Sequence, residues 1–408
     1  MTILKEWESR NLIKNCTENL NLAIPTKFYC GFDATADSLH VGHLPIIHKI
    51  RSLIEKGHEA LVLVGDTTAK IGDPSGKSEE RAGLHESSCE TNAMSIEKQL
   101  SSLLAIQRFR FLRNSSWLDT LSFTETLTKY GSFFRLNDMI SKESVKLRLD
   151  SNQGMSLKEF MYQILQAIDF EILFSTENCS LQIGGSDQWG NITAGISLIR
   201  KIHGKEAHGL TFPLLLDQNG NKFGKTSGNK TIWLDSNRTS PHEFYQFWFN
   251  TPDSEVLNLI DNLCVMSPEK REILSGHLSS EPHKRVCQKF LAEQMTSWVH
   301  GNGCVRALKL QSKYLTEKYL FKGLREEMIA NLEFFDCHVA DQEKKISELL
   351  RSCGLVKSLS EARRKLSENA VSINKQTVNH DISIEDQYEK DLFVLQLGKK
   401  SLKVIRRK

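Results

Sequence analysis

Four groups of residues have the types and spacings that chemistry requires. The first is His40-Val41-Gly42-His43. Two imidazoles three residues apart can both donate hydrogen bonds to phosphate or ribose oxygens. The glycine between them lets a nucleotide lie close to the backbone, and the N–H groups of a following helix would hold phosphate oxygens. The same residues also suit two surface histidines beside a turn. The second group is Lys222-Phe223-Gly224-Lys225-Thr226. Two ammonium groups and a hydroxyl on a glycine-bearing loop can follow charge as it builds on a leaving pyrophosphate; a solvated hairpin tip is the alternative. The third is the run QIGGSDQWGN over 182–191. Gly184-Gly185 permits close backbone approach, and Asp187 and Gln188 offer polar groups to a ribose or an amino acid. A helix capped by Ser186 or Asp187 would use the same letters. The fourth is Tyr162, Gln166 and Asp169, spaced to share one face of an apolar helix. Polar groups there are costly unless they meet partners, in a ligand or among themselves and nearby backbone.

Elements must position these groups. Residues 27–33 (KFYCGFD) read as a strand, 45–56 as a helix stopped by Gly57, and 60–65 (ALVLVG) as a buried parallel strand, which together make one βαβ unit. GDPSG (72–76) follows as a loop. Residues 108–112 and 213–217 (PLLLD) read as further strands, and 157–174 as a long apolar helix. This alternation predicts a doubly wound parallel sheet. Pro45 suits the first helical turn, yet it biases Leu44 away from helical dihedrals and predicts a helix that starts a residue or two late. Residues 240–330 read as helical, punctuated by Pro252, Pro268 and Pro282. KKISELLRSCGLV and LSEARRKLSENA then suggest two short helices, and VSINKQTV, DLFVLQLG and SLKVIRR small strands.

The 408 residues carry a net charge of only +3, unevenly spread. Residues 343–408 hold 15 Lys/Arg against 9 Asp/Glu, and the remainder 38 against 41. A basic tail on a near-neutral body points to a polyanionic partner. Arg363-Arg364-Lys365 and six basic residues among the last ten suit RNA backbone contact or, alternatively, a solvated tail. No apolar run is long enough to span a bilayer, so a membrane-spanning role is not expected. The nine cysteines are scattered and odd in number, with no C-x-x-C. No structural metal and no redox pair is expected, and the free thiols point to a reducing, cytoplasmic setting. The amino terminus has no apolar signal region.

The strand, H-x-G-H, helix and late K-x-x-K-T loop together resemble the two signature motifs of class I aminoacyl-tRNA synthetases. With Tyr29-Cys30-Gly31-Phe32-Asp33, Gly72-Asp73-Pro74-Ser75-Gly76, the Tyr162/Gln166/Asp169 face and GGSDQWGN, the chain resembles the bacterial-type tyrosyl-tRNA synthetases along essentially its whole length. The tail resembles their S4-like RNA-binding domain. The resemblance implies a Rossmann-like catalytic domain (1–235), a helical tRNA anticodon-binding domain (236–330), a linker (331–342) and an S4-like α+β domain (343–408). It implies activation of L-tyrosine by ATP, with Mg2+ accompanying the nucleotide, then transfer to tRNA(Tyr) by a homodimer. Tyr29 and Asp169 would read the phenol. Asp73, Tyr162 and Gln166 would hold the ammonium, and Gln188 would lie near the carboxylate. Cys30, Gly31, Asp33, Gly42, His43, Gly185 and Asp187 would line the nucleotide site. Thr35 and His40 would meet the γ-phosphate; Lys77, Arg81, Lys222, Lys225 and Thr226 the departing pyrophosphate; Arg200 and Lys201 the tRNA. A phenylalanine would strand the two buried phenol-reading groups and be rejected. Ala34, where the family commonly has proline, is expected to loosen the loop before His40, and Ser227-Gly228-Asn229-Lys230 to make the later loop more mobile. A tryptophanyl-tRNA synthetase and a non-catalytic RNA-binding protein on the same scaffold are the alternatives.

Overall fold

The computed structural model describes residues 2–75, 86–105, 108–149, 154–216, 223–224, 230–316, 328, 337–340, 345–384, 392–398 and 401–407. The chain forms two compact units, Met1–Ala292 and Glu293–Lys408. The first is built on six strands: β1 (Asn15–Cys16), β2 (Lys27–Asp33), β3 (Glu59–Gly65), β4 (Phe109–Arg113), β5 (Leu181–Gly185) and β6 (His208–Phe212). Their order is β1-β6-β5-β2-β3-β4. All neighbours are parallel except β1, which runs antiparallel to β6. The apolar run of β3 is buried from Ala60 to Gly65, as a strand covered on both faces requires.

This order fixes where a ligand can sit. From β2 the chain winds outward through β3 to β4, then returns to place β5 on the other side of β2. Connections leave β2 and β5 in opposite directions, which opens a crevice at the carboxyl ends of the strands. His40–His43 follows β2, and Ser186-Asp187-Gln188 follows β5, so two of the four groups meet at this edge.

Three expectations need correction here. The helix after His43 spans Leu44–Glu55, and Leu44 is helical (φ −57, ψ −38). A 3-10 turn over Val41–His43 precedes it, and the Leu44 N–H donates to the Val41 carbonyl. Proline in the first turn then costs no hydrogen bond, and the helix does not start late. The strand expected at 213–217 lies instead at His208–Phe212. Its apolar signal is hidden because Gly209 packs under the helix Trp189–His203: a Cβ there would come within 2.5 Å of Ile192 Cγ2. Finally, Ala34 does not loosen its loop. Its N–H donates to the Gly65 carbonyl at 3.1 Å, a bond proline cannot make, and its carbonyl accepts from Asn92 Nδ2 at 3.0 Å.

The long helix Leu157–Glu177 starts at Ser156, whose hydroxyl caps it, and ends at Asn178 in the left-handed region (φ 55). From Pro241 to Thr316 the chain is mostly helical, with Pro241 and Pro268 in first turns. A helical run, Val286–Thr316, is broken at Gly301 (φ 87, ψ 159).

The second unit holds a five-stranded sheet: β7 (Cys337–Ala340), β8 (Val371–Ile373), β9 (Gln376–Val378), β10 (Leu392–Leu397) and β11 (Ser401–Arg407), in the order β7-β11-β10-β8-β9. Strand period sorts its core. Phe393, Leu395 and Ile405 pack with Ile346, Leu349, Leu350 and Leu366 of the two short helices, whereas Val394 and Val404 pack with Leu310 and Tyr314. β7 lies within the span expected to be a linker and pairs in parallel with β11. No helix among the described residues is long and apolar enough to cross a membrane.

Candidate active site

At the inner end of the crevice, Asp169 is 2% exposed on the helix Leu157–Glu177. Its Oδ1 accepts from Trp117 Nε1 at 2.7 Å and its Oδ2 from Asn114 Nδ2 at 3.1 Å. Burial raises its carboxyl to about 7, against the pull of these two donors. Tyr29, on β2, is 1% exposed, and its hydroxyl has no hydrogen-bond partner among the described residues. Burial, and then the nearby Asp169 charge, push its phenol well above the usual range, so it stays an O–H donor and acceptor. A buried hydroxyl without a partner beside a buried carboxylate is costly alone and suits one further hydroxyl between them.

A relay of polar contacts runs outward from this end. Asn114 Nδ2 donates to Thr68 Oγ1 at 3.0 Å, Thr68 Oγ1 to Asp33 Oδ1 at 2.7 Å, and Tyr162 Oη to Asp33 Oδ2 at 2.9 Å. Gly65, the last residue of β3, makes the Thr68–Asp33 bond possible, since a Cβ there would lie 2.3 Å from both oxygens. Asp33, expected among the nucleotide-lining residues, thus reaches Tyr162 of the ammonium group. A second set lies alongside. Gln188 Nε2 donates to Asp73 Oδ2 at 2.7 Å, and Asn191 Nδ2 to Gln166 Oε1 at 3.0 Å. Tyr162 and Gln166 on one helix, Asp73 and Gln188 therefore meet in one polar wall, whose carboxylate and amide oxygens suit an ammonium.

His40 and His43 form the outer wall. His40 Nδ1 accepts from the Gly42 N–H and His43 Nδ1 from the His40 N–H, both at 3.1 Å, with ring centroids 4.0 Å apart. With Nδ1 accepting, a neutral imidazole carries its hydrogen on Nε2, a donor for an anionic oxygen. Gly42 is constrained by the chain itself. A Cβ there would lie 2.8 Å from the His40 ring and 3.1 Å from the Phe223 carbonyl. The close approach expected of a nucleotide is already made by protein. Phe223-Gly224 is thereby seated against the HVGH turn, and the Gly224 carbonyl accepts from Ile232 N at 3.0 Å, whose own carbonyl accepts from Val41 N.

Of the remaining expected residues, Gly31 is exposed on β2, and a Cβ there would meet nothing within 4 Å. Cys30 is buried, its thiol pushed up to about 12, so it stays neutral and is no nucleophile. Thr35 N donates to the Asp33 carbonyl. Gly185 ends β5, and Asp187 stands in the following 3-10 turn. Arg200 and Lys201 are not brought here. They occupy the last turn of the helix Trp189–His203, roughly 18 Å along its axis from Gln188, and Lys201 donates to the Phe133 carbonyl at 2.5 Å. Lys77, Arg81, Lys222, Lys225, Thr226 and residues 227–229 lie outside the described residues. Sequence reading missed Thr68, Asn114 and Trp117, and named Ser75 and Asn191 only within their motifs. Asn114 had a signal, since it directly follows a strand that ends at the ligand-bearing edge.

Comparison with known proteins fits this geometry. Residues 22–317 match the family model described as class I tRNA synthetases (W and Y), and residues 328–405 the C-terminal domain of tyrosine–tRNA ligases. The tyrosine–tRNA ligase of Staphylococcus saprophyticus is 39% identical over 98% of this chain and 97% of its own length. Tyrosine–tRNA ligase 2 of Bacillus cereus is 37% identical over the full length of both. Among solved structures, a C-terminally truncated mitochondrial tyrosyl-tRNA synthetase from Aspergillus nidulans superposes with a TM-score of 0.68 at 28% identity, covering 77% of this chain and 94% of that one.

Proposed function

The chain belongs to the tyrosyl-tRNA synthetase family of class I, and we propose that its crevice activates L-tyrosine with ATP and passes it to tRNA(Tyr). The observation that carries the substrate assignment is the buried, unpartnered Tyr29 hydroxyl beside the Asp169 carboxylate. A substrate phenol satisfies both; phenylalanine satisfies neither, and an indole presents only a donor, to a Tyr29 that then lacks its own acceptor. The ammonium goes to Asp73, Tyr162 and Gln166, which leaves the carboxylate facing the outer wall. There a carboxylate oxygen attacks the α-phosphorus of ATP, the bond to the β-phosphate oxygen breaks, and pyrophosphate leaves with Mg2+. The protein supplies position and charge rather than a nucleophile. His40, with Thr35, donates toward the phosphates; Lys77, Arg81, Lys222, Lys225 and Thr226 carry the cationic groups that neutralise pyrophosphate. In the second step a terminal ribose hydroxyl attacks the tyrosyl carbonyl and AMP leaves. Tyrosine-dependent ATP–pyrophosphate exchange tests the reading. Exchange with tryptophan and not tyrosine, or with neither, would refute it.

Two further parts of the reading concern partners. Arg200, Lys201, the helices of 236–330 and the basic 343–408 domain are assigned to tRNA, in a cytoplasmic enzyme. A chain ending at Thr316 is expected to keep its exchange rate within about twofold and to lose tRNA charging by ~10²-fold, since it forfeits several phosphate contacts. Lost exchange would break that division of labour. The homodimer is supported by large apolar side chains left exposed between 123 and 157: Phe123, Leu127, Leu136, Ile140, Leu149 and Leu157, the last 69% exposed. Exposed apolar side chains concentrated in one stretch of the chain suit a protein–protein interface. Leu157→Asp is expected to sediment as a monomer at micromolar concentration where the wild type sediments as a dimer. A dimer of unchanged affinity would place the interface elsewhere.

A further inference from the structure

Asn191 stands in the first turn of the helix Trp189–His203, is buried, and its amide lies among the residues assigned to the ammonium. Its Nδ2 lies 3.0 Å from Gln166 Oε1, 3.3 Å from Gln188 Oε1, 3.3 Å from Ser75 Oγ and 3.5 Å from Asp73 Oδ1. An amide nitrogen carries two hydrogens, so four acceptors compete for them.

The orientation of every amide here follows from one charge. Asp73 only accepts, so Gln188 must turn its Nε2 toward it, at 2.7 Å. Gln188 Oε1 then points the other way and needs donors, and it has Asn191 Nδ2 and, at 3.4 Å, Gln166 Nε2. Gln166 Oε1 is in turn held by Asn191 Nδ2. If Asn191 gave no hydrogen, the Gln166 amide could rotate by half a turn and present its NH2 where an ammonium needs an oxygen.

We propose that Asn191 is a positioning residue for recognition of the substrate ammonium: it holds the Gln166 carboxamide oxygen toward the ammonium, and yields its hydrogen bond to Asp73 when the ammonium arrives. This rests on the reading of the crevice as a tyrosine site. It also gives a role to the buried asparagine that closes the GGSDQWGN run.

The test uses the full chain and pyrophosphate exchange. Asn191→Ala should raise the KM for tyrosine by roughly tenfold, as loss of one or two hydrogen bonds around a charged group predicts, with kcat and the KM for ATP little changed. The discriminating readout is inhibition by two analogues. Tyramine, which keeps the ammonium, should lose about as much affinity as tyrosine does. 3-(4-Hydroxyphenyl)propanoate, which lacks the ammonium, should inhibit wild type and variant equally. Asn191→Leu, of similar volume and with no donor, should reproduce the selective loss even if the alanine variant folds poorly. Equal weakening of all three compounds would reduce Asn191 to a packing role, and no weakening of any would overturn the proposal. A wild-type protein with no tyrosine-dependent exchange would instead remove the reading on which it rests.

Discussion

Asp169→Ala is expected to cut kcat/KM for tyrosine in the exchange reaction by ~10²-fold or more, chiefly through KM. A hydrogen bond to a buried charged acceptor contributes about 1.5–3 kcal/mol, and the variant also leaves donors without an acceptor. Trp117 Nε1 and Asn114 Nδ2 both point at that carboxylate and would lose it together. Because the wild-type preference over phenylalanine draws on the same group, the ratio of tyrosine to phenylalanine exchange should narrow in the variant. The group also imposes a pH dependence. Its carboxyl is raised from 3.8 to about 7 in the fold. The native state therefore holds this proton where the unfolded chain has lost it, and the stability that retention confers is lost as pH rises from about 4 through 7. Tyrosine affinity should move the other way. A phenol O–H donates best to the ionised carboxylate, so the KM for tyrosine should fall between pH 6 and pH 8 and go flat in Asp169→Ala. An alanine variant with unaltered discrimination and an unaltered pH profile would remove Asp169 from the phenol site.

His40→Ala should act on the other coordinate. The rate of adenylate formation in a single turnover is expected to fall by ~10²–10³-fold, the usual consequence of deleting a donor aimed at developing charge. The dissociation constant of tyrosine should stay within about twofold, because the proposed reading gives His40 to the phosphates and the ammonium to Tyr162, Gln166 and Asp73. The expectation rests on geometry: Nδ1 accepts from the Gly42 N–H, so a neutral ring carries its hydrogen on Nε2. Quenched-flow measurement of tyrosyl-adenylate, with tyrosine binding followed by tryptophan fluorescence, separates the two. A large change in tyrosine affinity with an unchanged chemical step would invert the assignment.

Much of this arrangement can be read from the chain alone, and the exceptions share a cause. β3 announces itself as an apolar run, β2 and β4 as short strand-like stretches, and Tyr162, Gln166 and Asp169 as a polar face on an apolar helix. β6 does not, because tertiary packing put a glycine where an apolar residue would have advertised burial. Ala34 misled in the opposite sense, since one amide hydrogen outweighed the stiffness of a proline ring. Thr68, Asn114 and Trp117 carry no periodic signal. They lie in the turn and short helices that follow β3 and β4, and their roles exist only once β3, β4 and the helix Leu157–Glu177 converge on Asp169. The family resemblance supplied roles for individual residues that composition and spacing left open, and it did so because those roles depend on contacts between segments far apart in sequence.

The contact between Gly42 and the Phe223 carbonyl has an evolutionary corollary. Two segments on opposite sides of the sheet's sequence compete for the same few cubic ångströms, so neither can acquire bulk independently. A chimera that receives only one of them from a distant relative inherits a steric mismatch at the junction. Such grafts should succeed when both travel together, as a single heritable cassette.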